Sequence, residues 1–476
     1  MLNTSRLAGG AAVAFALQVT GAGLAYVSQV ALARWMGTSS FGVYVYALAW
    51  ATLGGILLGL GFPQSMLRFI PQYRTTKDGA RLRGLIRSSQ RLTLAISVAI
   101  ASIGSVVALT VVAPGRHDAS AVTLVALWLV PVGALINLDS AIIRAGGRIV
   151  GAYAPALVLR PLAILLISGA CWLEWGRLTA VTVLLITIGV YVVVTALQAF
   201  FVHEVLRDGE PAKAAIYDKR VWLRVSVPLL LVAGFQLALS QADLLIVGAT
   251  RGVRDAAFYQ AASKTAMLVS YLLVAVNAIA APLFSELEAK KDRVTLQRFV
   301  ALSTQWVFWP TLFIAAGLAL LAPYVLGLFG PHFVTARGAL LVLLLGQLVN
   351  AACGSVGYLL SMTGHQDDTA KVYGITSVVN VCLCYASTRV FGLVGAASAT
   401  TVSMVVWNVW LYRLTRKRLG IRASALAFFA RADADTRQPS ETSAFDRSAP
   451  HGMSHLALSA VNAQGSVVGN NNDVSG

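Results

Sequence analysis

The sequence predicts an all-α polytopic membrane protein whose twelve transmembrane helices form two pseudo-symmetric six-helix lobes. Three observations predict it. Charged residues make up 12% of the chain and hydrophobic residues 57%, whereas soluble domains carry about a quarter charged residues. Apolar runs of hydrocarbon-crossing length recur from end to end. A short motif is also written twice, six spans apart.

Twelve apolar spans can be placed, at roughly 8–33, 41–66, 92–113, 119–143, 150–173, 178–202, 222–249, 257–282, 304–328, 338–362, 370–390 and 393–412. Backbone polar groups in lipid must be satisfied within each segment, so each reads as a helix. The alternation of a transmembrane barrel is missing from these runs. Arg6 followed by an apolar stretch resembles a secretory leader, but Leu7–Ala33 is about twice the length of such a core. It reads as a retained first span.

The chain is strongly basic, with 37 Lys and Arg against 20 Asp and Glu. With the N-terminus placed in the cytoplasm, 25 of the 37 bases fall in cytoplasmic segments and 7 in outside ones. That asymmetry orients both termini to the cytoplasm, and the basic charge then needs no nucleic acid partner. Outside connections are short. The inside segments 67–91, 203–221 and 285–303 are longer, basic and partly amphipathic, which suits an anionic leaflet. The expected organisation is a lobe over 1–206, a cytoplasmic linker over 207–221 and a second lobe over 222–418. A Ser-, Asn- and Asp-rich tail over 419–476 lacks the apolar surface to fold. His451 and His455 are spaced for one helical face, but such a tail gives them no helix. Cys171, Cys353, Cys382 and Cys384 lie in apolar stretches without metal or redox spacing, so no metal site is expected.

The repeat sits at "ARWMGTSSFGVYVYALAW", from Ala33, and "ATRGVRDAAFYQAASKTA", from Ala249. Aligning Gly37 with Gly252 places Tyr44 on Tyr259 and Ala47 on Ala262. In both copies a span ends, a Gly-containing turn follows and an aromatic-bearing span begins. An even number of spans separates them, so the lobes are parallel repeats about an axis along the membrane normal.

The first copy carries a resemblance. Ala33, Arg34, Gly37, Phe41, Gly42 and Tyr44, then Gly59, Gly61, Arg68 and Phe69, resemble the opening of polysaccharide exporters. Those proteins belong to the multidrug/oligosaccharidyl-lipid/polysaccharide (MOP) flippase superfamily. "ADLLIVG", with Asp243 and Gly248, fits its seventh span, and Tyr259 and Lys264 fit the start of its eighth. The second copy departs at Ala249 and Ala257, so roles do not transfer between lobes. The resemblance runs to about residue 420. It implies a flippase of the bacterial inner membrane that moves undecaprenyl-diphosphate-linked oligosaccharide to the outer leaflet for surface or exopolysaccharide assembly. It also implies a central cavity between the lobes, open alternately to each side. The partners would be the lipid-linked substrate, membrane lipids and polysaccharide polymerase or assembly proteins, with the flippase itself a monomer. No cofactor is expected beyond a coupling ion, H⁺ or Na⁺.

A diphosphate and a sugar chain need a wet, partly cationic cavity, because desolvating them is expensive. Intramembrane ionisable residues are the candidates. Arg160 lies about 15 Å into its span between Pro155 and Pro161. It is either a cavity cation or a structural Arg satisfying carbonyls that the prolines free. Asp243 and Lys264 fall at equal depth on adjacent antiparallel spans, which predicts a salt bridge between them. A structural pin is favoured there over a gate or a coupling-ion site. Gln236, Ser240 and Asp243 recur at i, i+4, i+7 as one polar stripe, and Gln18 and Gln29 share a face of the first span. Small residues beside Gln18 and Gln29 would equally suit plain helix packing. Arg68 and Arg74 are placed to meet a headgroup entering from the cytoplasmic leaflet, or to serve only the orientation rule. Asp139 and Arg144 sit at a span end where snorkelling is cheap.

A multidrug or cation antiporter and a flippase for lipid-linked peptidoglycan precursor share the architecture. The first favours acidic cavity residues, and the second more often carries fourteen spans. A membrane polymerase, ligase or glycosyltransferase needs sizeable outside loops bearing catalytic groups. No Ser/His/Asp set, zinc spacing or phosphate-binding Gly loop stands in the chain, so no enzyme is expected.

Overall fold

Apolar spans must satisfy their own backbone, and the computed structural model does so with helices throughout, with no strand among the described residues. It describes residues 4–112, 117–207 and 214–421. In order, the helices are α1 (Thr4–Leu58), α2 (Phe62–Thr75), α3 (Gly79–Val107), α4 (His117–Ala145), α5 (Ile149–Tyr153), α6 (Arg160–Trp175) and α7 (Ala180–Arg207). After the segment 208–213 come α8 (Lys219–Arg251), α9 (Val253–Ala289), α10 (Arg293–Leu320), α11 (Ala322–Gly327), α12 (Arg337–Cys353), α13 (Val356–Met362) and α14 (Gln366–Leu419). Most of the expected tail, with His451 and His455, lies outside the described residues.

Nine of the described helices are long and apolar enough to cross a membrane. α1 and α14, of 55 and 54 residues, each hold two crossings broken at a glycine, Gly37 and Gly392. With the 37-residue α9, the described helices are consistent with the expected twelve crossings. The repeated motif has a structural counterpart. Gly37 (φ 75°, ψ 170°) and Gly252 (φ 96°, ψ 166°) share one left-handed, extended conformation that side chains disfavour. Tyr44 and Tyr259, about two turns beyond them, are both fully buried.

A second repeat, missed in the sequence, lies at the opposite end. Lys77-Asp78 and Lys291-Asp292 form matching turns, with the lysines at φ 54° and 56°. Asp78 caps α3 by accepting from the Arg81 amide, and Asp292 caps α10 by accepting from the Thr295 amide, both at 3.0 Å. Leu82 and Leu296, four residues on, are both buried.

Some expected boundaries shift. The second span ends at Leu58 rather than 66, because Leu60 and Gly61 turn the chain through positive φ into α2. The amphipathic segment after it turns its apolar face into protein. Phe62, Met66, Phe69, Ile70 and Tyr73 of α2 are buried against α4 and α8. The span near 150–173 is interrupted by a π-helical stretch, Ala154–Leu159, before α6.

The helices up to α7 pack mainly among themselves, as do those from α8 onward, and α1 makes the main bridge, against α9 and α8. The buried core shows how the two groups meet. At the end carrying the short connections, one continuous cluster joins both groups through Phe41, Phe258, Phe329 and Phe333. Towards the end rich in Lys and Arg, the core splits. One cluster is centred on Phe69, Leu85 and Ile142, the other on Phe284, Leu359 and Leu411. The groups are therefore sealed together at the short-loop end and part towards the basic end, apart from the start of α8, whose Trp222 packs into the first of these clusters.

Candidate functional site

Three cavities follow the parting. The deepest, about 200 Å³, lies between α1, α8 and α9 and is lined by Tyr26, Gln29, Thr52, Gln241, Gln260 and Lys264. The Tyr26 and Thr265 hydroxyls, 3.0 Å apart, join α1 to α9 beside it. The Gln29 side-chain carbonyl is buried with no protein partner. Lys264 is half-buried here, and no carboxylate forms an ion pair with it among the described residues.

The second cavity, about 60 Å³, is lined by Thr52, Asn137, Arg160 and Tyr191, and shares Leu48 and Thr52 with the first. Local sequence explains how Arg160 reaches it. Proline lacks an amide donor; Pro155 lies within, and Pro161 just beyond, the stretch that widens to π-helical hydrogen bonding, with Arg160 at its exit. The guanidinium lies 5.4 Å from the centre of the Tyr191 ring, a cation–π geometry. No carboxylate or carbonyl of the described residues bonds to it, so the structural alternative, an Arg satisfying freed carbonyls, is not what this geometry shows.

The third cavity, about 400 Å³, opens towards the basic end between Gln64, Asn137, Ser140, Arg144, Gln236 and Ser240. It shares Asn137 with the second. Arg144 donates to the Tyr153 hydroxyl at 3.2 Å. Across all three linings stand three cations, Arg144, Arg160 and Lys264, and no Asp or Glu.

Asp243 corrects an expectation. Its carboxylate does not pair with Lys264. It accepts from the Tyr259 hydroxyl at 2.6 Å, the Thr400 hydroxyl at 3.3 Å and the Leu244 amide at 2.8 Å, joining α8, α9 and α14. The polar stripe on α8 therefore divides by depth: Gln236 and Ser240 face the open cavity, whereas Asp243 lies where α9 and α14 have closed over the same helix face.

The polysaccharide biosynthesis protein family model matches residues 7–288, more than half of the chain. The chain belongs to that family. No curated protein matches it. Among solved structures it is similar to an inward-facing multidrug resistance MATE family transporter of the MOP superfamily. The TM-score there is 0.63 at 16% identity, over 86% of this chain and 94% of that one. A MOP superfamily transporter from Pyrococcus furiosus, described by the reversed polarity of its binding pocket, gives 0.61 at 15% identity, covering 86% and 95%. An outward-facing MATE transporter gives 0.59 at 15%, covering 88% and 98%. The chain thus has the fold of MOP superfamily transporters.

Within this member of the polysaccharide biosynthesis protein family, the structure brings Gln29, Lys264, Arg160, Gln236 and Ser240 to the three adjoining cavities. Gln18 lines none of them: it shares a helix face with Gln29 but lies eleven residues nearer the basic end. Arg68 is exposed on α2, one turn beyond Gln64 at the cavity mouth, beside the Phe69 ring. Arg74 instead donates to the carbonyls of Gly146 and Val205 at 2.8 and 3.3 Å, tying α2 to α4 and α7. Asp139 does not snorkel; it is buried and accepts from Gln90 at 2.7 Å. Sequence reasoning missed Tyr26, Gln241, Gln260 and Asn137, because polar residues inside apolar spans reveal a face only where they recur.

Proposed function

We propose that this protein is a flippase that carries an undecaprenyl-diphosphate-linked oligosaccharide from the cytoplasmic to the outer leaflet of the bacterial inner membrane. One observation supports this reading above others: Arg144, Arg160 and Lys264 line adjoining cavities whose linings contain no carboxylate. A cavity of that polarity stabilises an anion such as a diphosphate, and unpaired guanidinium donors suit phosphate oxygens in particular.

In this reading the basic end is cytoplasmic, with both termini there, and the two helical groups are the lobes 1–206 and 222–418 joined by the linker 207–221. The substrate head enters past Arg68 and Arg144, engages Gln236 and Ser240 at the mouth and moves up to Arg160 and Lys264. Gln29 and the other amides meet sugar hydroxyls. The aromatic seal around Phe41 and Phe333 then parts as the basic end closes. Asp243, linking three helices beside Lys264, serves as the gating or ion-coupling group, with H⁺ or Na⁺ as its ion.

The test is translocation of a fluorescent undecaprenyl-diphosphate oligosaccharide in proteoliposomes. Charge-assisted hydrogen bonds contribute about 1.5–3 kcal/mol, so Arg160→Ala should slow transport roughly 10- to 100-fold, with Arg160→Lys intermediate. Absence of transport by the wild type, with efflux of organic cations under a proton gradient, would replace the flippase by a multidrug antiporter.

A further inference from the structure

Beside the polar cavities lies a far larger one that the proposed pathway leaves unused. It measures about 1230 Å³ and follows the second limb of α1 from Ser39 to Leu58, walled on its other sides by α3, α4 and the start of α7. Ordinary ligand pockets run to about 300–1,000 Å³. No charged side chain lines it.

Two features set its chemistry. First, it is open sideways to lipid: Trp50 and Leu57 of α1 and Ile100 of α3 line it and are 50%, 41% and 45% exposed. Second, it backs directly onto the Arg160 cavity. Ala51 lines both, and the wall between them is the crossing of α1 and α4, built from small residues. At Gly54 a Cβ would stand 3.1 Å from the Val130 methyls, so a larger residue in that wall would have to push Val130 aside. One helix thus separates a cationic polar chamber from an apolar chamber that opens to the membrane.

Resting on the flippase reading above, we infer that this cleft holds the polyisoprenyl chain of the lipid-linked substrate while its phosphorylated head occupies the cavities across α1. A bilayer phospholipid has much shorter acyl chains, so one whose phosphate sat in the polar cavities would reach less of the cleft. The anchored chain gains effective concentration from its own head, as two linked ligands do.

The experiment uses the full-length protein in proteoliposomes and undecaprenyl phosphate carrying a diazirine near the end of its chain, with crosslinks mapped by peptide mass spectrometry. Labelling should concentrate on Val43–Leu57 and Ala121–Val130 over the lipid-facing Ile103 and Val106 by about tenfold. Unlabelled undecaprenyl phosphate should compete, and excess phosphatidylglycerol should not. Ala126→Phe, which fills the cleft, should remove the labelling, and Ile103→Phe should leave it intact. Uniform labelling of outward faces, or equal competition by phosphatidylglycerol, would overturn the inference even if Ala126→Phe fails to fold. A labelled cleft without transport of lipid-linked oligosaccharide would sink the flippase reading alone. Transport with an unlabelled cleft would sink this inference alone.

Discussion

Asp243 shows what a buried carboxylate needs at the scale of one residue. With no cation at ion-pair distance, it relies on Tyr259, Thr400 and its neighbour's amide. Removing one donor leaves a buried acceptor short of a partner, at a cost of about 1–3 kcal/mol. Tyr259→Phe should therefore lower thermal stability in detergent more than Tyr44→Phe. An unchanged melting temperature would mean that the Asp243 bonds carry little. Asp292 makes a contrasting case at the surface. Hydrogen bonds from Thr295 hold its carboxyl below the usual carboxylate range. A depressed folded value means the cap's contribution is present above the unfolded value and is lost as pH falls through the folded one. The Thr295 amide, corrected for intrinsic rate, should lose hydrogen-exchange protection over that acid window. Asp292→Asn, which keeps a cap but cannot titrate, should abolish the dependence.

Among elements, the contact between α1 and α9 at the short-loop end decides which side is closed. Gly42 packs so tightly on the Val253 carbonyl that any Cβ would collide with it. Phe41 and Phe258, on either side of this contact, both stack edge-on against Phe333. Arg34 adds donation to the Leu328 carbonyl at 2.6 Å and the Gly327 carbonyl at 3.3 Å. Gly42→Leu should therefore force the seal apart and shift the protein towards a form open at the short-loop end. The check is maleimide labelling of an Ala336→Cys reporter, buried in the same cluster, from that side, in a background without native cysteines. Labelling should rise several-fold, and an unchanged rate would show that the seal does not depend on this approach.

For the molecule as a whole, much of the fold was legible because lipid leaves so few choices: long apolar runs must be helices, and Gly37 and Gly252 marked the repeat. The Lys-Asp turns at 77 and 291 repeat as faithfully, yet they hid inside segments that read only as basic. Depth was the illegible quantity. Periodicity put Gln18 with Gln29, and Asp243 with Ser240, but a helix face does not say where a cleft opens or closes. The partners of Asp243 were out of reach for the same reason, since Thr400 lies 157 residues further on. Arg160 was legible as a suspect from its prolines, whereas its stacking on Tyr191 needed the packing of α6 on α7.

The junction between the two groups has a practical outcome. Residues approaching α8 are docked onto the first group: the Ile216 amide donates to the Ala80 carbonyl, Arg81 pairs with Asp218 at 2.8 Å, and Trp222 donates to the Tyr73 hydroxyl at 2.9 Å. Ser226 donates to Ser65 at 2.8 Å one turn later. Alignment of the groups thus rests on these bonds and on the α1–α9 seam rather than on the peptide chain between Arg207 and Ala214. Two polypeptides, 1–207 and 214–476, expressed together should find each other and co-purify through a tag on one of them. Failure of the fragments to associate would show that covalent tethering is needed. Success would give a split transporter in which each half can be isotopically labelled or mutated on its own.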